Sequence, residues 1–118
     1  MILVDTSVWV DHLRKRNARL EGLLNDGLVL VHLFVVGELA LGALKKRSEI
    51  LGLLEEMPQA EAASHAEALE FVARHSLAGS GIGWIDAHLL VSTALSRASL
   101  WTLDGRLAKA ASRLALSG

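Results

Sequence analysis

Ile2-Leu3-Val4-Asp5-Thr6-Ser7-Val8 is the stretch on which the fold turns. Three apolar residues in a row suit a short strand buried on both faces, because a strand with one wet face would alternate. Asp5, Thr6 and Ser7 carry side chains that cap helix starts, so a helix is expected over Val8–Leu13. Strand, polar edge and helix in that order open a βα unit.

The same grammar recurs further along the chain. Asn17 is placed to cap a second helix reaching Leu24, closed by an Asp26-Gly27 turn. Leu28–Val31 reads as a second buried strand. Phe34–Leu44 is apolar nearly all round and is expected to be a helix buried on most sides. Ser48 opens another helix, which must stop before Pro58, and a brief strand is expected near Gln59–Ala62. Ser64-His65-Ala66-Glu67 has the form of a capping box, starting a helix that runs to about His75. After the glycine-rich loop Gly79–Gly83 come a helix from about Ile85 to Arg97, a strand at Leu100–Leu103 and a closing helix over Gly105–Leu114. Apolar strands alternating with helices indicate one α/β domain over residues 1–118, with a short parallel sheet covered on both faces.

Composition narrows the chemistry. Cysteine is absent, which removes disulfides, thiolate metal sites and a cysteine nucleophile. No basic segment precedes the first apolar run, and no uncharged apolar stretch approaches the ~20 residues of a membrane span. A soluble cytoplasmic protein without membrane contact is therefore expected. The hydrophobic fraction is 52% before the 10 glycines are added, high for a domain with so little interior. Part of that surface is expected to meet another chain, as a homodimer, a bound partner or both. A net charge of −1 argues against binding nucleic acid by bulk electrostatics. Local basic clusters exist at Arg14-Lys15-Arg16 with Arg19, at Lys45-Lys46-Arg47, and at Arg106, Lys109 and Arg113. Taken singly, each is explained as a solvated helix end.

Four of the 13 acidic residues stand apart from the rest. Asp5, Glu38, Asp86 and Asp104 each lie in an apolar element expected to be largely buried, with no lysine or arginine in the same window. A buried carboxylate costs several kcal/mol unless a positive partner meets it, and a hard divalent cation is suited to oxygen ligands. Asp5 and Asp104 follow strands directly, at the carboxyl edge where open α/β sheets bind ligands. Asp86 falls in the first turn of a helix and could reach that edge. Capping accounts for Asp5 and Asp104 about as well as a functional role does. It does not account for Glu38, in mid-helix, and only partly accounts for Asp86.

These residues carry a family resemblance. Val4-Asp5-Thr6-Ser7, Val36-Gly37-Glu38-Leu39-Ala40 with Gly42, Gly81 through Leu90 around Asp86, and Leu100-Trp101-Thr102-Leu103-Asp104 follow one another in order. Together they resemble a PIN-domain ribonuclease of the VapC toxin type, from type II toxin–antitoxin pairs, over essentially the whole chain. The resemblance implies a three-layer α/β/α domain in which Asp5, Glu38, Asp86 and Asp104 hold Mg²⁺ or Mn²⁺ for RNA phosphodiester cleavage. It implies Thr6, Ser7 and Thr102 as donors that orient those carboxylates, roles that ordinary strand-end hydroxyls would also fill. It implies RNA as substrate and a VapB-type antitoxin as partner. The chain is short for the family, so a reduced final sheet edge is expected. No fifth acid closely follows Asp104, so one ion is expected at rest, with a second arriving only with substrate.

The remaining polar and aromatic residues are assigned more modest roles. His12, His32, His65, His75 and His88 share no ligand spacing and are expected to pack or face solvent. Trp9, Trp84 and Trp101 flank the acidic segments, with core packing the default and base stacking the lesser alternative. A PIN fold without activity, serving as a dimerising or partner-binding module, would need the acids to be idle. A phosphoacceptor receiver would need paired acids after the first strand and a mid-chain strand-end Asp, and a phosphate-transfer hydrolase would need D-x-D where Asp5-Thr6-Ser7 stands.

Overall fold

The computed structural model describes residues 1–118. Three short strands, β1 (Ile2–Val4), β2 (Val29–Leu30) and β3 (Ser99–Trp101), form a parallel sheet in the order β2-β1-β3. Register pairs Ile2 with Val29 on one side and with Ser99 on the other. Leu3, Val4, Val29, Leu30, Leu100 and Trp101 are all buried, so consecutive residues bury opposite faces and both faces carry helices.

Helices α1 (Thr6–Lys15) and α2 (Ala18–Asn25) connect β1 to β2. Asn17 caps α2 as expected, its side chain accepting from the Leu20 N–H. Between β2 and β3 lie α3 (Leu33–Leu41), α4 (Arg47–Glu56), α5 (His65–Arg74) and α6 (Trp84–Leu95), and α7 (Gly105–Arg113) follows β3. The Ser64 capping box forms in full, with the Ser64 hydroxyl on the Glu67 N–H and the Glu67 carboxylate on the Ser64 N–H. The strand expected near Gln59–Ala62 shrinks to one parallel bridge, Val31 with Gln59. The far edge of the sheet likewise ends in a single bridge, Leu100 with Ser117.

One expectation fails. Helix α3 stops at Leu41 and buries only Val35 and Leu39, while Leu33 is 52% and Leu41 91% exposed. It packs mainly against α1 and α4, with Phe34 reaching His88 of α6. A three-stranded domain lacks the layers to cover an all-apolar helix on every side. No helix is long and apolar enough to cross a membrane.

The strand order has a consequence for function. β1 lies between β2 and β3, so the chain leaves the ends of β1 and β3 toward opposite sides of the sheet. That divergence makes the carboxyl edge between β1 and β3 the topological switch point of the sheet, with Asp5 directly after β1 and Thr102–Asp104 directly after β3.

Candidate metal centre

Asp5 occupies the N-cap position of α1 but makes no capping hydrogen bond. Its Oδ2 instead accepts from the Ser7 hydroxyl at 2.7 Å and from the Thr102 hydroxyl at 2.7 Å. Each hydroxyl has one proton, so each must take its other bond as an acceptor. Ser7 Oγ accepts from the Leu103 N–H at 3.0 Å, and Thr102 Oγ1 from the Asp104 N–H at 3.0 Å. The ends of β1 and β3 are thereby wired together across 97 residues of chain, with the only fully buried acid of the four at the centre.

The other three carboxylates are held differently. Thr6, adjacent to Asp5, donates its hydroxyl to Glu38 Oε1 on α3 at 2.8 Å. Asp104 does cap its helix: Oδ1 accepts from the N–H groups of Arg106 and Leu107 at 3.0 Å each, leaving Oδ2 free of protein partners. Asp86, in the first turn of α6, accepts weakly from the Gly83 N–H at 3.3 Å. Its carboxyl pKa is raised, first by burial and then, against the opposing Gly83 bond, by the charges of Asp5, Asp104 and Glu38. All three therefore lie within electrostatic reach of Asp86.

The burial expected for these residues needs correction. Asp5 is buried and Asp86 half-buried, but Glu38 and Asp104 are exposed. An apolar neighbourhood in sequence identifies a buried element, whereas the side chain faces whichever way its helix position dictates. No three of the Asp, Glu or His side chains stand close enough together to cage an ion as they lie. Mutual repulsion among like charges favours such a spread arrangement.

The residues nonetheless suit a hard divalent ion in their chemistry. The donor set is entirely carboxylate, without thiolate or imidazole. The molecule's three ion pairs, Lys15–Asp11, Arg16–Glu21 and Arg74–Glu70, involve none of the four. Asp5 is buried with hydroxyl partners alone, a carboxylate still short of a positive charge.

Two basic clusters that lie far apart in sequence meet beside this centre. A groove of about 680 Å³ between α1 and α3–α4 is lined by Arg14, Lys45 and Lys46 together with Val10, Leu13 and Glu38. Linear reading treats each cluster as a solvated helix end; only the packing of α1 on α3 joins them.

The histidines take structural places. His32 is buried and caps α3 with its ring, Nδ1 accepting from the Phe34 N–H at 2.9 Å. The proton therefore sits on Nε2, which donates to Ser92 Oγ at 3.0 Å. Burial, aided by the neighbouring His88, pushes the His32 pKa down to about 4. His88 is buried edge-on to Phe34 and Trp84.

Comparison with known proteins agrees with this fold. The sequence matches the PIN domain family over residues 2–113. It is 50% identical over 108 residues to Ribonuclease VapC32 of Mycobacterium tuberculosis, in both the CDC 1551 and the H37Rv strains, covering 91% of this chain and 87% of the relative. The fold is similar to that in the crystal structure of FitAcB from Neisseria gonorrhoeae, with a TM-score of 0.65 at 22% identity over 95% of this chain and 94% of that one. The chain belongs to the PIN-domain family and, within it, to the VapC ribonuclease type.

Proposed function

We propose that the chain is a Mg²⁺- or Mn²⁺-dependent endoribonuclease, the toxin of a type II toxin–antitoxin pair, working in the cytoplasm as a homodimer restrained by a VapB-type antitoxin. The observation that carries this reading is the buried Asp5 carboxylate, wired to the neighbouring strand end by two hydroxyls and unmatched by any cationic side chain. The relative's activity on RNA, at 50% identity, supports the substrate class.

Asp5, Glu38, Asp86 and Asp104 would hold the ion, with one expected at rest. When bound, the ion supplies an activated water and neutralises charge on the phosphodiester oxygens. The chain's own residues do the rest. Ser7 and Thr102 fix one oxygen of Asp5, leaving Oδ1 without a protein partner. Thr6 steadies Glu38, and the capping bonds of Asp104 direct Oδ2 away from α7. Arg14, Lys45 and Lys46 line the groove beside Glu38 and offer the RNA backbone a positive path, which the net charge of −1 does not. Exposed Leu33, Leu41 and Leu53 supply apolar surface for a second copy or an antitoxin.

The test is cleavage of structured RNAs by the purified protein with Mg²⁺ or Mn²⁺, repeated with EDTA and with Asp5→Asn. Cleavage should vanish in both controls. Cleavage that persists in both would refute the site. Saturable Mn²⁺ binding by calorimetry is expected for the wild type, and its absence would favour an inactive scaffold.

A further inference from the structure

Trp84 is the tryptophan the fold leaves in solvent. It is 41% exposed, while Trp9 and Trp101 are 5% and 8% exposed. Trp101 is further covered by the Arg19 guanidinium, 4.1 Å from its ring. Trp84 is nevertheless not loose. Its ring meets His88 edge-on at 4.8 Å and His65 at 5.3 Å, and the buried His88 is braced in turn by Phe34 at 4.9 Å.

The place of this ring is informative. Trp84 is the first residue of α6, two before Asp86. Helix positions two apart point in nearly opposite directions, so the indole stands at the same helix end as the Asp86 carboxylate without facing it. Phe34 and Glu38 are four apart on α3 and share a face. The aromatic series Trp84–His88–Phe34 thus links the first turn of α6 to the face of α3 that carries Glu38. A phosphodiester engaged by the carboxylates would have a flanking nucleotide, not its own phosphate, beside Trp84.

We propose that Trp84, braced by His88 and His65, is a stacking platform for an unpaired nucleobase flanking the cleaved phosphodiester, and so a determinant of preference for single-stranded RNA. The inference rests on the ribonuclease reading above. Unpaired bases splayed from RNA are held by stacking on aromatic rings, an interaction that tolerates any base. A held, half-exposed indole rimmed by imidazoles matches that need better than it matches an aliphatic protein contact.

The experiment uses the uncut complex. In an Asp5→Asn background, affinity is measured for a short single-stranded oligoadenylate and for an abasic oligomer of equal length and charge. Trp84→Leu should weaken oligoadenylate binding about tenfold, the scale of one lost stack. Trp84→Phe should restore most of it, and the abasic oligomer should bind all three proteins alike. Oligoadenylate should also quench Trp84 emission, with buried Trp9 and Trp101 as the unquenched remainder; if Trp84→Leu does not fold, the presence or absence of this quenching decides. Unchanged oligoadenylate affinity in Trp84→Leu, or equal losses on both probes, overturns the platform. So does a shift from dimer to monomer in light scattering with RNA binding intact, which would give the ring to a chain–chain contact. If wild-type protein with Mg²⁺ leaves RNA uncut while the stacking pattern holds, the ribonuclease reading fails and the platform stands. If RNA is cut and Trp84→Leu binds like its parent, the reverse is true.

Discussion

Thr102→Val removes one hydroxyl and almost no volume, yet that hydroxyl ties the carboxylate of Asp5 to the backbone of Asp104. It donates to Asp5 Oδ2 at 2.7 Å and accepts from the Asp104 N–H at 3.0 Å. The bond to Asp5 is charge-assisted and buried, the class whose loss costs about 1.5–3 kcal/mol. The Asp104 N–H lies at an exposed rim where water can replace the lost acceptor, so it adds little. Asp5 keeps its Ser7 bond, which limits the damage to a single interaction. We therefore expect a stability loss of about 2 kcal/mol in EDTA, or a Tm lower by roughly 8 °C for a domain of this size.

The functional loss should be separate and larger. With the strap between the Asp5 carboxylate and the Asp104 backbone gone, the Asp5 carboxylate and the loop that carries Asp104 gain freedom at the point where an ion would be gripped. Removing such an orienting partner typically costs about 10–100-fold in metal affinity or activity. Urea unfolding in EDTA measures the first quantity, and Mn²⁺ calorimetry with RNA cleavage the second. Thr102→Ser, which keeps the hydroxyl, should recover most of both. The reasoning is refuted if stability falls while Mn²⁺ affinity and cleavage stay unchanged, since Thr102 would then support the fold and nothing more.

Three further outcomes follow from the same structure. The His32 pKa is pushed down to about 4 from 6.5, so the unfolded chain takes up its proton first as pH falls. Stability is then full above pH 6.5 and declines toward pH 4, by up to about 3 kcal/mol. His32→Asn, which can still cap α3, should lack this component when urea unfolding is followed against pH, and superimposable profiles would contradict it. Asp86 has a raised pKa, so its ionised form destabilises the fold at neutral pH. Asp86→Asn should therefore raise Tm in EDTA while losing the Tm increase that Mn²⁺ gives the wild type; a lower Tm in EDTA would refute the repulsion. Gly81 has φ +86°, and a Cβ there would sit 3.0 Å from the Arg106 guanidinium. Gly81→Ala should cost about 1–2 kcal/mol in urea unfolding, and a neutral result would mean that the loop relaxes freely.

What was legible in the sequence was what local chemistry decides. Ile2-Leu3-Val4 could be read as a doubly buried strand, and Ser64 with Glu67 as a capping box, because the residues that settle each question are neighbours. The exposure of α3 was hidden, since it depends on how many layers surround the helix, which the apolar run of residues 33–41 does not record. The hydroxyl straps were equally hidden in their pairing. Thr6 finds Glu38 across 32 residues and Thr102 finds Asp5 across 97, and only the parallel sheet brings those ends together. The meeting of Arg14 with Lys45 and Lys46 depends likewise on tertiary packing.

Asp5 and Asp104 show why residue type at a strand end does not settle a role. Both are aspartates at the N-cap of a helix, and the sequence allows either to cap. Asp104 does cap, and so commits Oδ1 to two backbone N–H groups. Asp5 could cap too, but Ser7 and Thr102 hold its carboxylate toward β3, and α1 starts without a side-chain cap. A forgone cap costs about 1 kcal/mol, and burying a carboxylate with only neutral donors costs more. Both costs fall on one residue, in a site where strain can be tolerated if ligand binding repays it. A cation bound at Asp5 would supply the missing charge, whereas a purely structural role for the residue leaves both costs unanswered.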